Sequence, residues 1–528
     1  MRQQDGEMGL AMEAKRDHLR KGVTRRQFFE VGAAGAAASM LAAPRARAVA
    51  PKAGKPKNVL FIMSDQHAPF ALGVRGDAVA HTPNLDALAR TAVLFDSAYC
   101  ATPVCLPSRA TLFTGLYSHH TGAYNNNTPW PYRYKTLAHY FKDAGYITSA
   151  IGKMHFDDGQ SHDFDYRLDF NDWFQVLGPK AKIWADELGF PNNGAGQPQI
   201  PELNDRHDPW AGARTDDDRE GSVAVGHVSH LAEEDHFESF VARESVRFLE
   251  NYGKKYPFLL VSSFLKPHDP FMPAARFAAM YNPARMKLPS TWGKVDLATV
   301  PRFIRSAIEW DRPTPELRDP ENAKIRIAMY YAQLAQTDDC VGKVLRALHD
   351  LGLEDDTIIF YTADHGEMLG NHGMWNKFVF YEPSVGVPLI CRVPGVTPEN
   401  ARSKTPVSLA QVVATLTELC GLPMPPGLDG ASFSASLRRP SQTLETTVFA
   451  EIGLPRHDKL MIRRGDYKYC YYVNDRPEMY DLRTDPQEMK NLAILPEYKA
   501  KVDEMRRRLF EWYRPPQAGG GSNVSPDG

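Results

Sequence analysis

The sequence predicts an α/β protein: a mostly parallel sheet flanked by helices, then a smaller C-terminal antiparallel sheet closed by a helix. Three observations carry this. Residues 58–63, 258–264 and 357–361 are continuous apolar runs, as strands buried on both faces read, and each runs directly into polar or titratable residues. Amphipathic stripes with helical spacing alternate with these runs, which implies parallel pairing and ligands bound beyond the carboxyl ends of the strands. From about residue 445 the pattern shortens to alternating segments separated by turn residues.

In chain order, residues 21–50 join Thr24-Arg25-Arg26-Gln27-Phe28-Phe29, a small-residue apolar run over 31–43, and Ala46-Arg47-Ala48. A basic region, a short apolar region and a small-residue cleavage site, in that order, make residues 1–48 a predicted signal peptide. The paired arginines resemble a twin-arginine signal, which implies the Tat translocon as a partner and delivery to the periplasm, with the protein folded before transport. The apolar run is too short to cross a bilayer and no other run reaches about eighteen apolar residues, so stable membrane insertion is not expected.

The large domain is expected over 56–440. Its first strand delivers Ser64-Asp65-Gln66-His67. Pro107 suits a first helical turn, 108–114 can continue it, and Gly115 suits its end, so Cys105 falls where unpaired N–H groups and the positive end of a helix dipole favour an anion. A helix over 135–144 leads through Gly145 to a short strand at 146–151 and then to Lys153 and His155. The polar stretch 157–235, with Trp173, Trp184 and Trp210, has little periodicity and reads either as insertions shaping substrate choice or as plain surface loops. Helices over 237–249 and 327–351 flank the strands that lead to Lys266-Pro267-His268-Asp269 and to Asp364-His365-Gly366. Segments 448–452, 460–463, 468–473 and 478–482 form the small sheet of a 445–514 subdomain, closed by a helix over 497–512. The tail 515–528 has no core-forming residues and is expected to be disordered.

Composition excludes several classes. With 43% hydrophobic and 24% charged residues in 528, the chain is an ordinary globular protein with room for a large core. A net charge of −2 gives no general attraction to nucleic acid, so any preference for an anion must come from a local cluster. Six cysteines, without a Cys-x-x-Cys pair, make neither a disulfide scaffold nor a zinc ribbon.

The spacing Cys105-x-Pro107-Ser108-Arg109, followed by Leu112, Thr114 and Gly115, resembles the signature of the type I sulfatases. That resemblance implies an alkaline-phosphatase-like fold and conversion of Cys105 to formylglycine by a formylglycine-generating enzyme. In that family the hydrated aldehyde attacks the sulfur of a sulfate ester, and deprotonation of its second hydroxyl then expels sulfate. The family's cation site maps onto Asp65, Gln66, Asp364 and His365, with residue 105 as a further ligand. Many sulfatases have aspartate and asparagine where this chain has Gln66 and His365. The lower negative charge and the nitrogen donor leave manganese, magnesium or zinc beside calcium as the divalent ion.

Gly152-Lys153-Met154-His155 resembles the family's Gly-Lys-x-His element, which implies that Lys153 binds sulfate oxygens and His155 orients the hydrate and acts as base. By the same resemblance His268 donates to the leaving oxygen and Lys377, in Trp375-Asn376-Lys377, faces it too. Arg109, Lys153 and Lys377 would neutralise the sulfate together with the cation. The lead-in Ser97-Ala-Tyr-Cys100, Thr121-Gly-Ala-Tyr124 and residues 152–156 look most like choline sulfatases, so a small-molecule or carbohydrate sulfate ester is the expected substrate. Two rivals stay open: the same machinery acting on phosphonate monoesters or phosphodiesters, and a catalytically silent protein that binds sulfated glycans.

Overall fold

The three apolar runs become adjacent central strands, Thr357–Ala363, Asn58–Ser64 and Phe258–Ser263, with every residue buried. In this computed structural model the described residues are 57–130, 133–156, 160–188, 225–311, 315–453 and 459–513. The predicted signal peptide and tail lie outside them.

Among the described residues the main sheet has eight strands, in the order Ala401–Ser403, Val93–Phe95, Leu389–Arg392, Thr357–Ala363, Asn58–Ser64, Phe258–Ser263, Ile147–Gly152, Tyr166–Leu168. Only Leu389–Arg392 runs antiparallel to its neighbours; the other pairs are parallel. Alternation along the strands divides the core. Val59, Phe61 and Met63 face one apolar layer with Leu106, Ala110 and Phe113 of the helix Cys105–Thr114. Leu60 and Ile62 face the other, with Phe240 and Val241 of the helix Phe237–Tyr252 and Val341 and Val344 of Pro320–Asp350.

The long helix begins earlier than the apolar stripe suggested because Asp319 accepts from the N–H groups of Glu321 and Asn322, at 2.8 and 3.0 Å, with Pro320 in the first turn. The described parts of the polar 157–235 stretch, 160–188 and 225–235, also hold more structure than its composition suggested, while 189–224, with Trp210, lies outside the described residues. The described parts contribute an edge strand and the helices Phe170–Leu177 and Ala181–Glu187, packed through Phe170, Trp173, Leu177 and Trp184. Too few apolar residues stand in that run to raise a periodic signal, yet their spacing places them on one side.

The C-terminal strands Thr447–Ile452, Lys459–Arg464, Tyr467–Tyr472 and Glu478–Asp481 pair antiparallel in sequence order. The helix Lys499–Trp512 covers one face through Met505 and Leu509. A further three-stranded sheet of Val407–Ser408, Ala98–Tyr99 and Gly386–Val387 was not foreseen, its strands being too short to leave a pattern. Among the described residues no helix is long and apolar enough to cross a membrane.

Candidate active site

Four neighbouring parallel strands end level with one another. Ser64 pairs with Ala363, Met63 with Ser263, and Ser263 with Gly152. The next residues of each strand therefore enter one space: Asp65 and Gln66, Asp364 and His365, Lys266 to Asp269, and Lys153 to His155. Gly152 is required for this convergence. Its φ is 105°, and a Cβ there would stand 1.9 Å from the Ser263 carbonyl oxygen.

Cys105 comes to the same space as the first residue of its helix, fully buried, while Gly115 ends that helix with φ 73°. Its Sγ lies 3.2 Å from His365 Nε2, 3.8 Å from Asp65 Oδ1 and 4.0 Å from Lys153 Nζ. Donor atoms of Asp65, Cys105, Asp364 and His365 all lie within 4.8 Å of one another. Atoms that share one ion at about 2.0–2.6 Å are separated by at most twice that, so the set fits a single divalent cation. His365 Nδ1 donates to the Gly366 carbonyl at 2.9 Å, which leaves the Nε2 lone pair turned toward the cluster.

Arg109 organises the two carboxylates. Its Nε donates to Asp364 Oδ2 at 2.8 Å and its Nη2 to Asp65 Oδ2 at 3.0 Å, while Nη1 donates to Ser263 Oγ at 3.0 Å and to the Lys153 carbonyl. Lys153 Nζ also reaches Asp65 Oδ2, at 2.8 Å. The Oδ2 atoms are thus occupied by cationic side chains, and Asp65 Oδ1 and Asp364 Oδ1 lie 3.6 and 3.8 Å from His365 Nε2. Each nitrogen of Arg109 donates to the aspartates or to the neighbouring strand ends, so its charge reaches the site through Asp65 and Asp364.

Beside the cluster stands a second group. Lys377 Nζ donates to Gln66 Oε1 at 2.5 Å and lies 2.8 Å from His268 Nε2, while His268 Nδ1 donates to the Asp269 carbonyl at 2.6 Å. His268 Nε2 is 3.9 Å from Asp65 Oδ1, so the two groups adjoin. His155 is buried with φ 61°, and neither ring nitrogen has a hydrogen-bond partner among the described residues.

Burial and local charge set the protonation states. Burial opposes the Asp65 charge, but Lys153, His268 and Arg109 more than offset it and hold this carboxyl well below its usual range. Burial pushes His365 down, and burial with Lys153 and Arg109 pushes His155 well down, so both are neutral imidazoles, suited to accept a metal bond or a proton. Burial and the Asp65 charge push the Cys105 thiol up to about 12, so the unmodified side chain is no thiolate nucleophile at neutral pH.

The structure therefore gathers Asp65, Cys105, Arg109, Lys153, Asp364 and His365 into one contact network, with Gln66 and His268 joined through Lys377 beside it. His155 is close enough to feel the charges of Lys153 and Arg109 but is bonded to neither. Sequence reasoning did not single out Ser263, Glu367 or Lys266. Lys266 Nζ donates to the carbonyls of His268 and Pro270, at 3.2 and 2.7 Å, and so holds the turn that carries His268. A buried polar residue looks like any surface residue in a sequence; adjacency to a motif was the only available signal.

Comparison with known proteins agrees with this geometry. Residues 57–422 match the family model described as Sulfatase, and residues 370–514 match N-sulphoglucosamine sulphohydrolase, C-terminal. The chain is 30% identical over 468 residues to a choline-sulfatase of Rhizobium meliloti, covering 87% of this chain and 86% of that protein. An N-acetylglucosamine-6-O-sulfatase of Bacteroides thetaiotaomicron is 26% identical over 526 residues, with 87% and 86% covered. In fold, the chain superposes on a phosphonate monoester hydrolase of Agrobacterium radiobacter with a TM-score of 0.73 at 24% identity, covering 86% of this chain and 95% of that one. With the Cys105 motif, the buried cluster around it and likeness over most of the chain in agreement, this protein belongs to the sulfatase family and hydrolyses sulfate esters at that cluster.

Proposed function

We propose that residue 105 acts as formylglycine, that Asp65, Asp364, His365 and residue 105 hold one divalent cation, and that the substrate is a small-molecule or carbohydrate sulfate monoester. The observation that carries this is the set of four buried donor atoms within 4.8 Å, with Cys105 among them. In its hydrated form formylglycine would supply a geminal diol as nucleophile, and the cation would lower the barrier by drawing charge from the nucleophile and the sulfate oxygens. The remaining work falls to side chains. Arg109 fixes both aspartates so that one oxygen of each faces the cluster. Lys153, 4.0 Å from Cys105 Sγ, binds the sulfate oxygens and offsets their charge. Neutral His155 accepts a proton from residue 105 when sulfate departs, and Lys377 with His268 holds a proton at the leaving oxygen.

Gln66 Oε1 uses one lone pair on Lys377, and the other remains for the cation, so Gln66 is proposed to link the metal and leaving-group sides of the site. Two aspartates and an imidazole suit calcium less well than an all-oxygen set does and accommodate manganese. The motif likeness to choline sulfatases and the choline-sulfatase relative both support a small ester; the signal read over 1–48 supports Tat export to the periplasm.

The test is turnover of choline sulfate, aryl sulfates and sulfated monosaccharides, beside an aryl phosphonate, by protein whose residue 105 has been checked by peptide mass. Sulfate release that is lost on chelation and restored by calcium or manganese is the expected result. A much larger kcat/KM for the phosphonate would overturn the substrate class, and modified protein indifferent to chelation would overturn the cation.

A further inference from the structure

Glu367 follows the Asp364-His365-Gly366 turn, is fully buried, and has no part in the chemistry above. Its two oxygens have distinct tasks. Oε1 accepts from the backbone N–H groups of Leu369 and Asn376, both at 2.8 Å, and Oε2 accepts from Gln66 Nε2 at 2.6 Å. Asn376 precedes Lys377 in the chain, and Gln66 Oε1 holds Lys377 Nζ. One carboxylate thus grips Lys377 twice, through the backbone behind it and through the amide in front of it.

The backbone here needs such a grip. Asn376 and Phe378, on either side of Lys377, have φ of 62° and 78°, a region unfavourable for residues with a Cβ and kept only where the surroundings over-determine it. The Met368 N–H donates to the Asn376 carbonyl at 2.8 Å and the Phe378 N–H to the Pro103 carbonyl at 3.2 Å, so the strained tripeptide is pinned at three points, one of them Glu367. Gln66 Nε2 has longer contacts to Asp269 Oδ1 and Asn376 Oδ1, at 3.2 and 3.3 Å, and its shortest bond is to Glu367.

We infer that Glu367 is a positioning residue that sets Lys377 against the leaving oxygen, acting through Gln66 and the Asn376 N–H. The inference rests on the reading that Lys377 serves the leaving group. If so, Glu367 matters in proportion to how badly the departing alcohol needs a proton. An activated phenol leaves with little help and a poor leaving group does not.

Glu367→Gln is the sharpest variant, because its amide oxygen can still accept from Leu369 and Asn376 while its NH2 group opposes the NH2 of Gln66. kcat/KM is measured on substituted phenyl sulfates of graded leaving-group strength for wild type, E367Q, K377M and the double variant, each with residue 105 checked by peptide mass. E367Q is expected to lose less than about 3-fold on 4-nitrophenyl sulfate and about 10-fold or more on the poorest leaving group, with K377M steepening the dependence further and the double variant no steeper than K377M. A loss uniform across the series in E367Q, where K377M does steepen it, overturns the role of Glu367 alone. A uniform loss in K377M overturns the reading of Lys377 and the inference with it. Should E367Q fail to accumulate as folded protein, E367D, which keeps the charge and shortens the reach, is held to the same outcomes.

Discussion

At the scale of single residues, Arg109 shows best why the site is built as it is. A planar guanidinium can bind two carboxylates at once, and here it spans Asp65 and Asp364, which leave different strands. Lysine carries the same charge as a point and cannot bridge both. Arg109→Lys is therefore expected to cost about 100-fold or more in kcat and to raise the cation concentration needed for half-maximal activity, since misplaced ligands weaken both. Full activity at unchanged cation demand would show that the bridge is dispensable. Cys105 was legible through the sulfatase resemblance that its spacing to Pro107 and Arg109 carries, and Asp65, Asp364 and His365 through their places at strand ends; these four meet in one cluster. Glu367 and Lys266 were not legible, since their importance lies in what they touch. The acceptors that Arg109 holds were hidden for the same reason: sequence names a donor but not its acceptors.

At the scale of elements, long buried strands and long amphipathic helices could be read because they repeat a pattern over many residues, with boundaries nearly right except at the start of Pro320–Asp350, which the apolar stripe places at 327. The strands Val93–Phe95, Leu389–Arg392 and Ala401–Ser403 escaped because three or four residues hold no period, and partners distant in the chain define them. The C-terminal sheet was read correctly, but its attachment was not foreseen. Glu478 accepts hydroxyls from Tyr381, Tyr472 and Tyr480 at 2.8, 2.6 and 2.8 Å, and Lys468 Nζ donates to the Phe380 carbonyl at 2.7 Å, which ties the small sheet to the segment that follows Lys377. Its other face depends on the helix Lys499–Trp512, where Leu509 is wholly buried. Leu509→Ala should cost about 2–5 kcal/mol of stability, read by denaturant unfolding, while kcat at low temperature stays near wild type. A loss of kcat without loss of stability would mean that the helix acts on the site by another route.

At the scale of the molecule, four neighbouring parallel strands send their ends to one place, where Asp65, Cys105, Arg109, Asp364 and His365 are all fully buried and their charges interact strongly. Burial of two histidines outside that cluster makes the fold sensitive to acid. His236 and His372 are pushed down to about 4, mainly by burial, against 6.5 when free, so the unfolded chain binds more protons than the native one between those values. Stability from these groups rises with pH through that window and is lost as pH falls from about 6.5 to about 4. The Tm of wild type should fall over that range more steeply than that of H372Q; parallel curves would contradict the assignment. The proposed chemistry as a whole turns on residue 105. Its most direct test is to isolate the peptide containing that residue from protein releasing sulfate from an ester, and to weigh it. With formylglycine as the nucleophile, the peptide is lighter than the cysteine form by one sulfur and two hydrogens less one oxygen, in proportion to activity, and Cys105→Ala releases no sulfate. Sulfate release by protein whose residue 105 is wholly cysteine would contradict that chemistry.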